Sequence, residues 1–207
     1  MRPESNGLVP SREWKRRNFS NPEDQVWYPG ETVISGIGQG FMLTTPLQLA
    51  HATATIATHG TRYRPSLVQS VRDPVTLTVS IREPRELPPV VARAENWDAI
   101  IGAMEGVMRD AKGTARVAGR GAPWRIAGKS GTAQVFSIGQ DEKYEVEDLA
   151  ERMRDHALFV AFAPVDDPRI AVAVIVENGG SVSSMAAPIA RKVLDTYLGE
   201  PQLEAQR

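Results

Sequence analysis

Trp124-Arg-Ile-Ala-Gly-Lys-Ser-Gly-Thr-Ala-Gln-Val-Phe136 carries the densest pattern in the chain, and the other segments are read from it. Trp124, Ile126, Val135 and Phe136 flank Lys129-Ser130-Gly131-Thr132 with side chains that favour strands. Successive side chains of a strand point to opposite faces. Ser130 and Thr132 therefore share a face, and two neighbouring hydroxyls can hold one carboxylate. Gly131 between them leaves the backbone bare, so a bulky acyl group can lie against it. Lys129 adds a compact cation with three donors. A strand with a cation, two hydroxyls and an approachable backbone suits an anionic acyl substrate.

Two other readings compete for the same residues. Gly128-Lys129-Ser130 looks like the end of a phosphate-binding loop, but the glycine required five positions earlier is Pro123. Such a loop also opens a helix, whereas Thr132 to Phe136 reads as strand. The blander reading is a surface strand with an ordinary lysine, and a lone tetrapeptide does not exclude it.

The flanking blocks shift the balance. Lys-[Ser/Thr]-Gly is the third signature of penicillin-recognising serine acyl enzymes. Here it extends to Gly128-Lys-Ser-Gly-Thr-Ala-Gln134. Upstream stand Gly7-Leu-Val-Pro-Ser-Arg-Glu-Trp14, Ser35-Gly-Ile-Gly-Gln-Gly40 and Thr45-Pro-Leu-Gln-Leu-Ala50. Downstream stand Arg154-Asp-His-Ala-Leu-Phe-Val-Ala-Phe-Ala-Pro164 and Val176-Glu-Asn-Gly-Gly180. In this order and spacing the blocks resemble the C-terminal half of the transpeptidase domain of class B penicillin-binding proteins, the penicillin-binding protein 2 group. The likeness runs from about Gly7 to Leu198.

The resemblance implies acyl transfer from a D-Ala-D-Ala peptide stem. A serine attacks the penultimate carbonyl, D-Ala leaves, and an amine from a neighbouring stem takes the acyl group. Ser130 and Thr132 would hold the terminal carboxylate of the stem or of a β-lactam, against the bare backbone of Gly131. Lys129 would supply positive potential and a hydrogen bond to the second motif's hydroxyl. The Thr132 N–H would be half of the oxyanion hole. Asp155 and His156 match a pair in the family and read as structural. That chemistry needs a Ser-x-x-Lys nucleophile, and neither Ser-x-x-Lys nor Ser-x-Asn occurs in the chain. In the resembled family both lie N-terminal to this segment, with a membrane anchor and a pedestal domain. The expected reading is a partial transpeptidase domain, inactive by itself, from a protein at the periplasmic face of the bacterial inner membrane. Peptidoglycan stems, β-lactams, the membrane and the wall-elongation machinery are the implied partners. No cofactor is implied. A non-catalytic β-lactam sensor, and a D,D-carboxypeptidase or β-lactamase relative, are the alternatives.

Composition agrees with one globular domain: 207 residues, 42% hydrophobic and 24% charged. The fold class, α/β of the α+β type with about three antiparallel strands packed with helices and the N-terminal part of the domain missing, is what the element order and the resemblance imply. A net charge of −1 gives no reason to expect nucleic acid or an anionic membrane as an electrostatic partner. Without cysteine there are no disulfides or thiolate metal sites. The apolar runs Ala157–Ala163 and Ile170–Val176 fall far short of the ~20 residues of a membrane helix. The N-terminus shows no apolar signal segment.

Along the chain, residues 1–45 read as an irregular lead-in punctuated by Pro3, Pro10, Pro22 and Pro29. The basic cluster Arg12, Lys15, Arg16 and Arg17 reads as solvated surface. Gly36-Ile-Gly-Gln-Gly40 lacks the third glycine of a dinucleotide fingerprint, Phe41 standing in its place, and reads as a turn. Residues 46–123 read as helical. Thr45, Pro46 and Gln48 open one helix by a capping box, Leu47, Leu49, Ala50, Ala52, Ala54, Ile56 and Ala57 make it mostly apolar, and Gly60 stops it. His51 and His59 lack a third ligand at metal spacing, so no metal is implied. Residues 61–92, broken by five prolines, read as an extended excursion with an exposed ribbon from Thr76 to Ile81. Asn96 caps a second helix to about Asp110, with Trp97, Ile100, Ile101, Met104 and Met108 as its core face. Residues 124–198 read as antiparallel strands and a packing helix. A helix is expected near Val146 to Arg154. Strands are expected over His156–Ala163 and Arg169–Glu177, the second apolar on both faces and hence central. The last helix starts at Ser181 or Ser183, buries Ala190, Val193, Leu194, Tyr197 and Leu198, and turns Arg191 and Lys192 outward.

Overall fold

The computed structural model describes residues 5–133, 154–180 and 185–199. Its N-terminal part is more ordered than its prolines suggest. Helix α1 (Arg12–Asn18) begins at Ser11, whose hydroxyl accepts from the Trp14 N–H at 3.1 Å. Helix α2 (Pro29–Gly36) has Pro29 at its first position, and Glu31 accepts from the Tyr28 N–H at 2.8 Å. The first N–H of a helix has no helical partner, so proline there marks a start rather than a break. The basic cluster divides as well. Lys15 is buried, not solvated: it pairs with Glu31, donates to the Val26 carbonyl at 2.6 Å and lies 5.2 Å from the Tyr28 ring. Trp14 and Phe19 pack against Phe41, with centroids 5.2 and 5.5 Å from it. Leu8 and Leu43 pair by a short antiparallel bridge.

Helix α3 (Pro46–Ala57) opens with the expected capping box between Thr45 and Gln48. After it the chain turns at Gly60 (φ +100°), where an added Cβ would lie 2.1 Å from the Val90 carbonyl. Only glycine fits that approach. The buried face of α3 includes Thr53 and Thr55, while Leu47 is exposed. Both threonine hydroxyls donate to carbonyls one turn back, Leu49 and His51, at 2.8 Å. Satisfied within the helix, they are buried without an orphaned donor.

The excursion forms two ribbons. β1 (Arg62–Tyr63) pairs with β4 (Glu86–Leu87), and β2 (Ser70–Arg72) pairs with β3 (Val79–Ile81). Every residue of β2 and β3 is exposed, as expected of a peripheral ribbon, but Leu77 (φ +59°) belongs to the connecting turn. Helix α4 (Ala94–Arg109) starts two residues before Asn96, with Arg93 at its N-cap and no side-chain cap. It buries Trp97, Ile101, Met104 and Met108, whereas Ile100 faces outward. The short α5 (Arg116–Gly119) follows.

β5 (Ala127–Ala133), β6 (His156–Ala163) and β7 (Ile170–Val176) form one antiparallel sheet in that order. The register sets Ser130 opposite Phe159 and Phe159 opposite Val174. β6 is therefore central, and β7 is an edge among the described residues. β7 is apolar on both faces because helices cover both: α3 on one, and α6 (Ala186–Gly199) on the other. Layer cover and strand neighbours are separate properties, and hydrophobic pattern reports only the first. α6 buries Ala186, Ala187, Ala190 and Leu194 against Phe159, Ala161 and Ala157. Small side chains let the helix lie close to the sheet. Val193 and Tyr197 are exposed, and Arg191 turns inward, holding Asp195 and donating to the Ala118 carbonyl at 2.8 Å. The expected helix at 146–154, apart from Arg154, and Val135, Phe136, Ser181 and Ser183 lie outside the described residues.

Just before β5, Arg125 grips Glu105 of α4 bidentately, at 2.7 and 2.6 Å, and also pairs with Asp166. The Arg125 hydrogen bonds hold Glu105 well down from its ordinary value of 4.5, to about 2. The native state keeps this carboxylate charged where the unfolded chain has begun to protonate. Its contribution is thus whole above about pH 4.5 and drains away as pH falls toward 2. Glu105→Gln is expected to cost about 1–2 kcal/mol near neutral pH, discounted because Arg125 is half exposed. Denaturant midpoints followed down the pH scale should converge for the two proteins at the acid end; a constant gap would sink the assignment.

Candidate functional site

Among the described residues, the Lys129–Thr132 segment lies on the open edge of the sheet. β6 pairs one side of β5; the other side meets Gln39, whose side-chain amide donates to the Thr132 carbonyl at 2.7 Å. In an antiparallel ladder a residue's N–H and C=O point the same way and neighbours alternate. Because the Thr132 carbonyl faces outward, so does its N–H, and so do both backbone groups of Ser130. Lys129 confirms the direction: its ammonium curls round to donate to the Ser130 carbonyl at 2.6 Å, and lies 3.5 Å from the Ser130 hydroxyl. Lys129 and Thr132 are exposed and Ser130 is half-buried.

The two glycines of the motif differ in kind. A Cβ on Gly128 would sit 2.7 Å from the Phe159 ring, so the core requires glycine there. A Cβ on Gly131 would meet only Leu158, at an ordinary 3.5 Å. Packing leaves Gly131 free, consistent with a backbone kept bare for something outside the fold.

Two residues join the site that sequence reasoning left aside. Thr114, in the loop after α4, places its hydroxyl 3.1 Å from that of Ser130. Gln39 is the other, read from sequence only as part of a turn. Local periodicity cannot link residues 16 and 93 positions away from their partners. His156 supports the sheet end: its Nδ1 accepts from the Asn178 N–H at 2.9 Å, and Asn178 donates to the Arg154 carbonyl at 2.9 Å. Asp155 is buried beside it, its carbonyl accepting from the Gly180 N–H. His59 lies 3.2 Å from Asp98, and no cluster of three or more metal-ligating side chains occurs among the described residues. The hollows of about 400 and 290 Å³ by the excursion and α3 are lined by other residues, such as Arg64, Arg82 and His51. The site is an open edge with outward donors, not an enclosed pocket.

The chain as a whole has known counterparts. The family described as "Penicillin binding protein transpeptidase domain" matches residues 4–195. This chain belongs to the penicillin-binding protein transpeptidase family. Peptidoglycan D,D-transpeptidase MrdA of Haemophilus influenzae is 41% identical over 203 residues, covering 95% of this chain and 30% of that protein. The crystal structure of Pseudomonas aeruginosa PBP2 in complex with WCK 5153 is similar at 45% identity and a TM-score of 0.75, over 96% of this chain and 40% of that one. The complex of PBP2 and MreC from Helicobacter pylori is similar at 28% identity and a TM-score of 0.74, over 95% of this chain and 32% of its match. The chain thus spans about a third of the transpeptidases it matches, and the family resemblance carried by Ser35–Gly40, Thr45–Ala50 and Gly128–Gln134 holds. In this family's fold the three-stranded sheet with covering helices is a partial domain.

Proposed function

We propose that this chain forms the carboxylate-holding and oxyanion-holding part of a serine D,D-transpeptidase that cross-links peptidoglycan stems. The observation that supports the reading is the edge of β5 away from β6, where the Lys129 ammonium and the Ser130 and Thr114 hydroxyls come together. Ser130 and Thr132 take the stem's terminal carboxylate, with Thr114 as a further hydroxyl at the same place. Lys129 supplies the positive potential that draws the anion in, and reaches the second motif's hydroxyl when that motif is present. The Thr132 N–H donates to the oxyanion formed when a serine attacks the penultimate carbonyl. Gly131 leaves the backbone clear for the acyl chain. The nucleophile comes from a Ser-x-x-Lys segment outside these 207 residues, since none occurs within them. A β-lactam carries the same carboxylate and carbonyl and acylates the same serine. The surrounding protein acts at the periplasmic face of the inner membrane, with wall-elongation proteins of the kind named beside the Helicobacter pylori relative. Among the described residues no helix is long and apolar enough to cross a membrane.

The test is a labelled penicillin. The 207-residue chain alone should take no covalent label, and a longer protein bearing it behind Ser-x-x-Lys should be labelled at that serine. In the longer protein Thr132→Val should weaken labelling about tenfold through one lost charge-assisted hydrogen bond. Labelling of the isolated chain, or indifference to Thr132→Val, would refute the assignment.

A further inference from the structure

Gln39 touches the same strand from the opposite side to β6, and everything around it fixes its position. α2 ends in a two-bond turn in which the Gly38 N–H donates to the Ser35 carbonyl at 3.0 Å and the Gln39 N–H to the Ile34 carbonyl at 3.1 Å. This is a Schellman cap, with Gly38 (φ +75°) in the left-handed position that the motif needs. Gly40 (φ +74°) makes the second left-handed step, so Gln39 sits between two residues whose backbones favour glycine. α2 is itself pinned. Its first-turn Glu31 pairs with the buried Lys15 of α1, and its Thr32 hydroxyl accepts from the Trp27 indole N–H at 2.9 Å. A rigid path therefore runs from the buried ion pair through α2 to one amide group, and that amide meets the strand at the carbonyl of Thr132.

We infer that Gln39 is a positioning residue for the acyl-transfer site: its side-chain amide holds the Thr132 carbonyl from the open edge and so fixes the direction of the Thr132 N–H. The inference rests on the transpeptidase reading above. Among the described residues β6 ties β5 from one side only, and the described ladder reaches the Ala133–His156 pair. The Thr132 carbonyl and N–H lie in adjacent peptide planes joined at the Thr132 Cα, so a bond that holds the carbonyl restricts the backbone torsions through which the N–H is aimed, and an oxyanion donor works only when it is already aimed at the developing charge. The amide also leaves the Thr132 N–H untouched, because it bonds the carbonyl alone. Through Gln39 the N-terminal helices brace the strand against which the acyl group lies.

The test uses a longer protein bearing this chain behind Ser-x-x-Lys, with Gln39→Glu and Gln39→Ala. Gln39→Glu keeps the size of the side chain but presents an acceptor to an acceptor. Protonation near its ordinary pKa of about 4.3 restores a donor. Penicillin acylation should fall about 3- to 10-fold in both variants near neutral pH. The ratio of Gln39→Glu to wild type should climb back as pH falls through that pKa, while Gln39→Ala stays flat. The thermal midpoint should hardly move, since the bond is exposed. The Thr132 carbonyl 13C shift reports the contact itself, independently of activity. A changed shift with wild-type acylation at every pH would overturn the inference and leave the transpeptidase reading standing. An unchanged shift would overturn it by removing the contact. Failure of the wild-type protein to acylate would bring down the transpeptidase reading and this one with it.

Discussion

Thr132→Pro, in a protein that places a nucleophilic serine ahead of this chain, is expected to acylate with penicillin about 10²–10³-fold more slowly than Thr132→Val. Both substitutions delete the hydroxyl, so the difference between them isolates the backbone N–H, which proline lacks. Proline in a sheet is tolerated on an edge strand whose N–H faces away from the ladder. Thr132 meets that condition, because Gln39 reaches its carbonyl from outside the sheet and its N–H points the same way. The substitution thus asks two questions at once. If Thr132→Pro unfolds the protein while Gly131→Ala does not, the N–H was part of the ladder and the edge is misassigned. If Thr132→Pro folds and acylates as Thr132→Val does, the oxyanion donor is another group. Rates by stopped-flow labelling, beside a melting curve for each variant, decide between these outcomes.

How far the sequence disclosed this site depends on what each residue reports. The placing of Lys129, Ser130 and Thr132 on one strand was legible because a strand's period of two and a short motif are both local. The antiparallel pairing of β6 and β7 was legible because Pro164–Pro168 is too short a link for a crossover. The capping box at Thr45 was legible for the same reason of proximity. What escaped is what depends on distant partners. Lys15 looked solvated because nothing near it in sequence announces Glu31, 16 positions on. Thr114 and Gln39 looked like loop residues because the strand they touch comes later. That β7 has a single strand partner among the described residues was hidden by helices on both faces, which give it the burial of a central strand. Arg191, expected outward by helical period, turns in because Asp195 and the Ala118 carbonyl receive it.

A double-mutant cycle at Gly128 and Phe159 should show the strongest energetic link between the core and the site. Phe159 is 1% exposed and its ring runs beneath β5, where a Cβ on Gly128 would come within 2.7 and 2.9 Å of two ring carbons. The ring cannot swing aside, because Ala161, Ala187 and Leu194 share its core and are themselves buried. Gly128→Ala alone should cost about 1–3 kcal/mol through overpacking. Phe159→Ala alone should cost about 3–5 kcal/mol, from lost transfer energy and the cavity left behind. Together, the new methyl enters the space the ring has vacated. The double variant should then be less destabilised than the sum by about 0.5–3 kcal/mol. Strict additivity in urea denaturation would mean that the ring and the glycine do not share that space. The acylation rate supplies the functional half of the argument. Lys129 and Ser130 follow Gly128 directly, so a strand pushed outward by a methyl moves the ammonium and the hydroxyl with it. Gly128→Ala should therefore slow acylation under conditions where the protein remains fully folded, and Phe159→Leu, which gives the methyl room, should recover part of that loss in the double variant. Recovery of stability without recovery of rate would place the functional defect at Gly128 itself rather than in the position of the strand.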